Sequence, residues 1–336
     1  MAKGSPLYDV ATLRSYVQED LAVLDEIRPD VVVGDFRLSL SVSARLKNVP
    51  YLTISNAYWS PYYREKYPLP EVEPVSWLGL TLGNLVFQAV RPFAFAYHTR
   101  PMNRLRREYG LASLGLDLRR IYTDADYTLY ADLPTLMPLQ GAPDNHVFLG
   151  PIVWSPSSPL PPWWNDLPDD RPLVYVTLGS SGRSDLLGPT LAAVSGLPVA
   201  VLAATAGRVQ LDSVPGNVYL ADFLPGEEAA RRASLVICNG GSPTTQQALV
   251  HGKPVLGIPS NLDQYLNMDA FCRAGAGRLV RAGRASQAAI HGAVEAILGE
   301  NSYAEQAQRL GQICQEYQCA DRFEACLRQV LDRRPT

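Results

Sequence analysis

The stretch VICNGGSPTTQQALVHGKPVLGIPSNLDQ, residues 236–264, decides the fold. An apolar run ends at Cys238 and is broken by Asn239-Gly240-Gly241. Pro243 suits the first turn of a helix, where its missing N–H would have no partner in any case. The helical pattern stops at Gly252-Lys253-Pro254, a second apolar run leads to Pro259, and a polar loop ends in Asp263-Gln264. Strand, turn, helix, strand and loop in that order make one unit of a parallel sheet.

The same rhythm extends outward from this unit. Upstream lie LVYVTLGSS from Leu173, a helix, LPVAVLAAT, NVYLADFLP and another helix; downstream lie a helix, GRLV and terminal helices. Apolar strands alternating with helices predict a parallel sheet covered on both faces. Residues 1–150 repeat the pattern more loosely, with a helix from Leu13 to Ile27, strands at PDVVVGDF, VPYLTISN, DYTLYA and HVFLG, and an aromatic loop. The fold class is therefore α/β, with two Rossmann-like, doubly wound domains. Seven prolines between Pro151 and Pro172 exclude a helix or a central strand, so residues 151–172 read as a stiff linker. The expected domains are 1–150, then the linker, then 173–336 with its C-terminal helices. Two such domains leave an intervening cleft at their strand ends, where ligands bind.

Composition narrows the function. A formal charge of −3 and a pI near 5.9 give no basic footprint for nucleic acid. The 5 cysteines are odd in number and scattered, which fits a reducing, cytoplasmic setting, and the first residues resemble an amphipathic helix rather than a signal peptide. Gly79 to His98 is largely apolar, but Asn84, Gln88, Arg91 and Pro92 interrupt it before it reaches a span of ~20 residues. It reads as a buried or cleft-covering helix pair, with membrane contact as the lesser reading.

Four strand-end loops carry the chemistry. Gly179-Ser180-Ser181-Gly182 offers amides and hydroxyls to a phosphate. Phe223-Leu224-Pro225 precedes a helix whose first-turn Glu227-Glu228 and last-turn Arg231-Arg232 match the helix dipole and need no functional account. Asn239 to Thr245 opens a helix whose N-terminus suits an anion, unless Ser242 or Thr244 merely caps it. Asp263 beside Gln264 can accept from and donate to neighbouring sugar hydroxyls.

Taken together, the span from Phe223 to Gln264 resembles the donor box of the UDP-glycosyltransferase family, a GT-B group that includes antibiotic glycosyltransferases. The resemblance implies transfer of a hexose from a UDP- or TDP-sugar to a hydroxyl of a small hydrophobic acceptor, with inversion. It implies that Phe223 and Leu224 hold the nucleobase. Ser180, Asn239, Gly240, Gly241, Ser242 and Thr244 receive the diphosphate, and Asp263 and Gln264 bind the sugar. No metal and no cofactor beyond the nucleotide sugar is implied. Two positions depart from the family: Asn239 replaces its usual histidine, and Gln247 replaces its ribose-binding glutamate.

In the first half, Asp35 matches the family aspartate that orients a catalytic histidine acting as general base. The family carries that histidine on an earlier strand-helix segment. No such segment is recognised before the helix at Leu13, so the first domain reads as truncated by on the order of 60 to 80 residues at about 30 per βαβ unit. None of His98, His146, His251 and His291 is an evident substitute. Tyr58 and Trp59, in the aromatic loop, are candidate acceptor-pocket residues or else a hydrophobic anchor. The rival readings are an impaired nucleotide-sugar binder or auxiliary protein, and a second GT-B chemistry such as epimerisation or transfer to a lipid carrier.

Overall fold

The computed structural model describes residues 6–71, 79–155, 158–179, 181–211 and 213–332. They form two compact units. Unit 1 takes the described residues of Met1–Tyr67, Leu78–Gly150 and Tyr317–Thr336; unit 2 takes those of Pro68–Trp77 and Pro151–Glu316.

Unit 1 is a four-stranded parallel sheet in the order β1-β2-β3-β4, from β1 (Val32–Asp35), β2 (Tyr51–Ser55), β3 (Tyr127–Tyr130) and β4 (His146–Phe148). Helices α1 (Val10–Ile27), α2 (Leu40–Leu46), α3 (Gly79–Glu108) and α4 (Leu118–Tyr122) complete it. Asp9 caps α1, its carboxylate accepting the Thr12 N–H at 2.7 Å. Asp124 bridges α2 and α3, accepting from Arg45 at 2.8 Å and from the buried Arg106 at 2.6 Å.

The segment expected to form a helix pair is the single helix α3. Pro92 and Pro101 lie inside it, where each removes one backbone donor without ending the helix. Its face is also not wholly buried, since Leu85 and Phe93 are open to solvent.

Unit 2 has six parallel strands in the order β10-β9-β8-β5-β6-β7. They are β5 (Leu173–Thr177), β6 (Ala200–Ala204), β7 (Val218–Ala221), β8 (Leu235–Cys238), β9 (Val255–Gly257) and β10 (Gly277–Leu279). Every residue of β5, β6 and β8 is buried, which is why those strands read as unbroken apolar runs rather than alternating ones. The helices are α5 (Leu187–Ser195), α6 (Gly226–Arg232), α7 (Ser242–Val250), α8 (Leu262–Arg273), α9 (Gln287–Gly299) and α10 (Asn301–Glu316). The chain runs outward from β5 to β7 on one side, then returns to start again at β8 on the other. The sheet is thus doubly wound, with its switch point between β5 and β8, whereas the described strands of unit 1 follow chain order.

Three boundaries differ from expectation, the first being that residues 68–71, expected in the first domain, group with unit 2. Helix α11 (Cys319–Asp332), grouped by sequence with the second half, belongs to unit 1. The contacts explain it: Arg322 Nε donates to Phe148 O at 2.7 Å, and Gly150, at φ +89°, packs so closely on Tyr317 that a Cβ would lie 2.5 Å from that side chain. The proline-rich linker contains a 3-10 turn, Pro162–Asp166, and its start is pinned to unit 2. Ile152 N donates to Gln246 Oε1 at 3.2 Å, and Gly226 N donates to Ser155 Oγ at 3.0 Å.

Candidate active site

In a doubly wound sheet, ligands bind beyond the carboxyl ends of the strands flanking the switch point. In unit 2 those ends carry the Gly179–Gly182 turn after β5 and the Asn239–Gly241 turn after β8. Ser180 lies outside the described residues. Its neighbour Ser181 accepts a hydrogen bond from Asn239 Nδ2 at 3.1 Å, which ties the two turns together. The other end of the same amide accepts the Gly241 N–H at 2.9 Å, an Asx turn. Asn239 is buried while Ser181 is exposed, so both bonds are part-buried.

The turn after β8 is built for close approach. Gly240 has φ +81°, and a Cβ there would meet Met268 Cγ at 2.5 Å. Its carbonyl accepts from Asn267 Nδ2 at 2.8 Å, and the same amide nitrogen reaches Thr245 Oγ1 at 2.8 Å. Helix α7 then begins with Gly241 as N-cap and no side-chain cap. Ser242 does not serve as one; its hydroxyl accepts from Gln246 Nε2 at 2.8 Å. The uncapped first turn of α7, including half-exposed Thr244, keeps the positive end of its dipole available to an anion. Cys238, beneath it, is an inert thiol: burial pushes its pKa up to about 12, and its sulfur accepts the Gly240 N–H at 3.3 Å.

Gln247 is buried on α7, where its Nε2 donates to Trp154 O at 3.0 Å and its Oε1 lies against Gly226. Asp263 and Gln264 stand in the first turn of α8 rather than in a loop, because Asn261 supplies the N-cap by accepting the Gln264 N–H at 3.1 Å. Gln264 is buried, and its Oε1 accepts from both the amide (2.9 Å) and the hydroxyl (3.2 Å) of Ser260. That fixes the orientation of the side chain and leaves Nε2 as its donor. Asp263 beside it is half-exposed.

Phe223 projects after β7 with 62 % of its surface exposed, while Leu224 is buried. The Phe223 ring lies over Gly207, where a Cβ would be 3.6 Å away. Thr205 secures that turn, donating to Asp222 at 2.6 Å and accepting the Gly207 N–H at 3.1 Å. Arg208 follows on the same turn and donates to Gly182 O at 3.3 Å, so a cation stands beside the β5 turn. Sequence reasoning missed Asn267, Thr205 and Arg208. Only Asn267 carried a signal, as a polar residue between the apolar Leu266 and Met268.

In unit 1, Asp35 ends β1 with its side chain exposed and free of hydrogen bonds or ion pairs among the described residues. Partial desolvation raises its pKa. Tyr58 and Trp59 do not form an open pocket wall. They are 0 % and 3 % exposed, with Trp59 edge-on to Tyr122 at 5.1 Å and the Tyr67 hydroxyl donating to Tyr58 O. The hydrophobic-anchor reading of these rings holds, because the 3-10 turn after β2 points them into the core.

The histidines serve structure where their contacts are visible. His146 Nδ1 pairs with the Tyr130 hydroxyl at 2.6 Å, His251 is the C-cap residue of α7, and His291 Nδ1 pairs with Ala193 O at 3.0 Å. His98 borders a mostly apolar cavity with Leu13, Leu38, Met102 and Tyr122, and its buried Nδ1 has no partner among the described residues. Among the described residues no group of three or more His, Cys, Asp or Glu could hold a metal ion, and no helix is long and apolar enough to cross a membrane.

The family model described as "Erythromycin biosynthesis protein CIII-like, C-terminal domain" matches residues 189–317. A "PGL/p-HBAD biosynthesis glycosyltransferase" of Mycobacterium tuberculosis is 53% identical over 312 residues, covering 93% of this chain and 73% of the relative. A "PGL/p-HBAD biosynthesis rhamnosyltransferase" of Mycobacterium bovis is 54% identical over 303 residues, covering 90% and 68%. An "Inactive PGL/p-HBAD biosynthesis glycosyltransferase" of the same species is 52% identical over 194 residues, covering 58% and 53%. Among solved structures, spinosyn forosaminyltransferase matches with a TM-score of 0.70 at 18% identity, covering 94% of this chain and 80% of that one. Spinosyn rhamnosyltransferase complexed with thymidine diphosphate matches with a TM-score of 0.65 at 21% identity, covering 91% and 77%. The solved structures fix the fold as GT-B, and the identity to the mycobacterial relatives fixes the lineage: the chain belongs to the UDP-glycosyltransferase family of GT-B enzymes and is a glycosyltransferase.

Proposed function

We propose that this protein transfers a hexose from a thymidine or uridine diphosphate sugar to a hydroxyl of a small hydrophobic acceptor, with inversion at the anomeric carbon. The observation that carries the donor half is the pair of turns at the switch point, tied by Asn239 and backed by the uncapped N-terminus of α7. In this reading the α7 amides neutralise the diphosphate, Phe223 stacks on the base, and Asp263 with Gln264 Nε2 holds the sugar hydroxyls. Rhamnose is the first sugar to try, because the relative at 54% identity is named a rhamnosyltransferase, and thymidine diphosphate the first nucleotide.

Leaving-group charge on the diphosphate is stabilised by fixed dipoles, so the reading asks for no metal and no cofactor, and chelator leaves turnover unchanged. On the acceptor side, Asp35 is the residue that would orient a base. The five free cysteines support a reducing, cytoplasmic setting, with the sugar nucleotide and a small acceptor as partners.

Isothermal titration with thymidine and uridine diphosphates, followed by turnover of the matching sugar nucleotide with and without a small hydrophobic hydroxyl acceptor, tests the proposal. Absence of binding to both nucleotides overturns the donor site. Binding without turnover favours a second reading, a nucleotide-sugar binder without activity, which the replaced Asn239 and Gln247 and the relative named inactive support.

A further inference from the structure

Helix α3 carries a surface stripe that neither the core of unit 1 nor the donor site uses. Leu82, Leu85, Ala89, Phe93, Tyr97, Arg100, Arg104 and Arg107 follow one another at three- and four-residue spacing, so they lie along one face of the helix. That face is solvent-exposed throughout. Leu85 and Phe93 are 65% and 76% exposed, values that a core helix face does not show. The opposite face, with Gly83, Phe95, Thr99, Met102 and Leu105, is the one buried.

The stripe is ordered along its length. Its first half is apolar, its last half is cationic, and Tyr97 stands at the junction with the Arg100 guanidinium 5.4 Å from its ring centroid. No Asp or Glu occurs in α3 before its last residue, Glu108, although the chain as a whole carries a formal charge of −3. From Leu82 to Arg107 the stripe runs about 38 Å at 1.5 Å per residue.

We infer that this face docks on an anionic lipid surface, with α3 lying in the plane of the interface. Leu82, Leu85 and Phe93 enter the boundary between headgroups and acyl chains, and Arg100, Arg104 and Arg107 meet the lipid phosphates. The helix rests on the bilayer rather than crossing it, since no described helix is long and apolar enough to span. A second copy of the chain fits the stripe poorly. Antiparallel pairing would lay the arginines on the partner's apolar half and bury them unpaired, and parallel pairing would set like charges against each other.

Flotation of the full chain with vesicles tests the inference, using 70:30 phosphatidylcholine:phosphatidylglycerol against phosphatidylcholine alone, at low and high salt (composition on the order of that of an anionic leaflet). Salt-sensitive binding to the anionic vesicles is expected. It weakens roughly a hundredfold in Arg100→Gln/Arg104→Gln/Arg107→Gln and about tenfold or more in Leu85→Ser/Phe93→Ser, with thermal melts close to that of the parent. If a multiple variant does not fold, single Phe93→Ser and Arg104→Gln changes give the same test with smaller effects. A parent chain that ignores anionic vesicles overturns the inference, as does vesicle binding that all variants retain. So does a parent dimer in light scattering that Leu85→Ser/Phe93→Ser converts to monomer, which would assign the face to a second copy.

Discussion

Asn239 links the two turns that flank the switch point of unit 2, donating through Nδ2 to Ser181 Oγ at 3.1 Å while its Oδ1 accepts the Gly241 N–H at 2.9 Å. A residue that gives one donor and one acceptor of its amide to the protein positions the turns. Asn239→Ala therefore removes two part-buried bonds and leaves the Gly241 amide unpaired. The expected cost is about 1–3 kcal/mol of stability, with nucleotide affinity falling about tenfold as the turns loosen. Urea titration and calorimetry read the two effects; unchanged values in both would remove Asn239 from the account.

Gly240 sets up a second prediction. Its φ of +81° disfavours any side chain, and an added Cβ would lie 2.5 Å from Met268 Cγ. Gly240→Ala is expected to cost about 1–3 kcal/mol from backbone strain and crowding together. Because the obstructing atom belongs to a flexible side chain, adding Met268→Ala recovers the steric share and leaves the φ share. Additive losses in the double variant, measured by denaturant melts, would refute that division.

How much of this was legible in the sequence varied with the kind of signal. Strands β5 and β8 were, because complete burial demands unbroken apolar runs, and the turn after β8 was, because two adjacent glycines after such a run have few other uses. The placement of Asp263 and Gln264 in a helix was not, since it depends on Asn261 acting as N-cap where Asn-Leu-Asp also reads as loop. Tyr58 and Trp59 were ambiguous in principle: aromatic composition is the same for a core and for a pocket, and only the direction of the 3-10 turn decides. Pro92 misled by suggesting a break in α3, although one lost backbone bond is tolerable in a 30-residue helix. The attachment of α11 to unit 1 was beyond reach, because an amphipathic pattern identifies a buried face without identifying what buries it.

The stability of unit 1 is expected to depend on pH through His146. Burial lowers its pKa from 6.5 to about 4, and its Nδ1 pairs with the Tyr130 hydroxyl. The folded state thus binds a proton less readily than the unfolded chain, so the contribution is complete above about pH 6.5 and is lost as pH falls toward 4. Allowing for partial exposure, the loss is about 1–2 kcal/mol. His98 and His251 are also shifted down and titrate in the same direction, so the test is the difference between the parent and His146→Gln. Urea melts at pH 7 and pH 5 should show a smaller drop in the variant, and equal drops would reject the assignment.

In the proposed reading, Gln264 separates sugar recognition from nucleotide recognition. Its Oε1 is occupied by two donors from Ser260, so Nε2 is the end it can offer to a sugar hydroxyl. Gln264→Glu keeps an acceptor for Ser260 and replaces that donor with an acceptor at nearly the same volume. Burying a carboxylate at this position costs some stability, and the nucleoside diphosphate, which in the proposed reading rests on the α7 terminus and the β5 turn, should bind nearly as before. The sugar-loaded donor should lose on the order of tenfold in affinity, because the sugar oxygen that accepted from Nε2 loses its donor and meets a second acceptor instead. Calorimetry on the parent and the variant with both ligands decides it. Equal losses for nucleotide and sugar nucleotide would mean that Gln264 shapes the whole site, and no loss for either would place the sugar elsewhere.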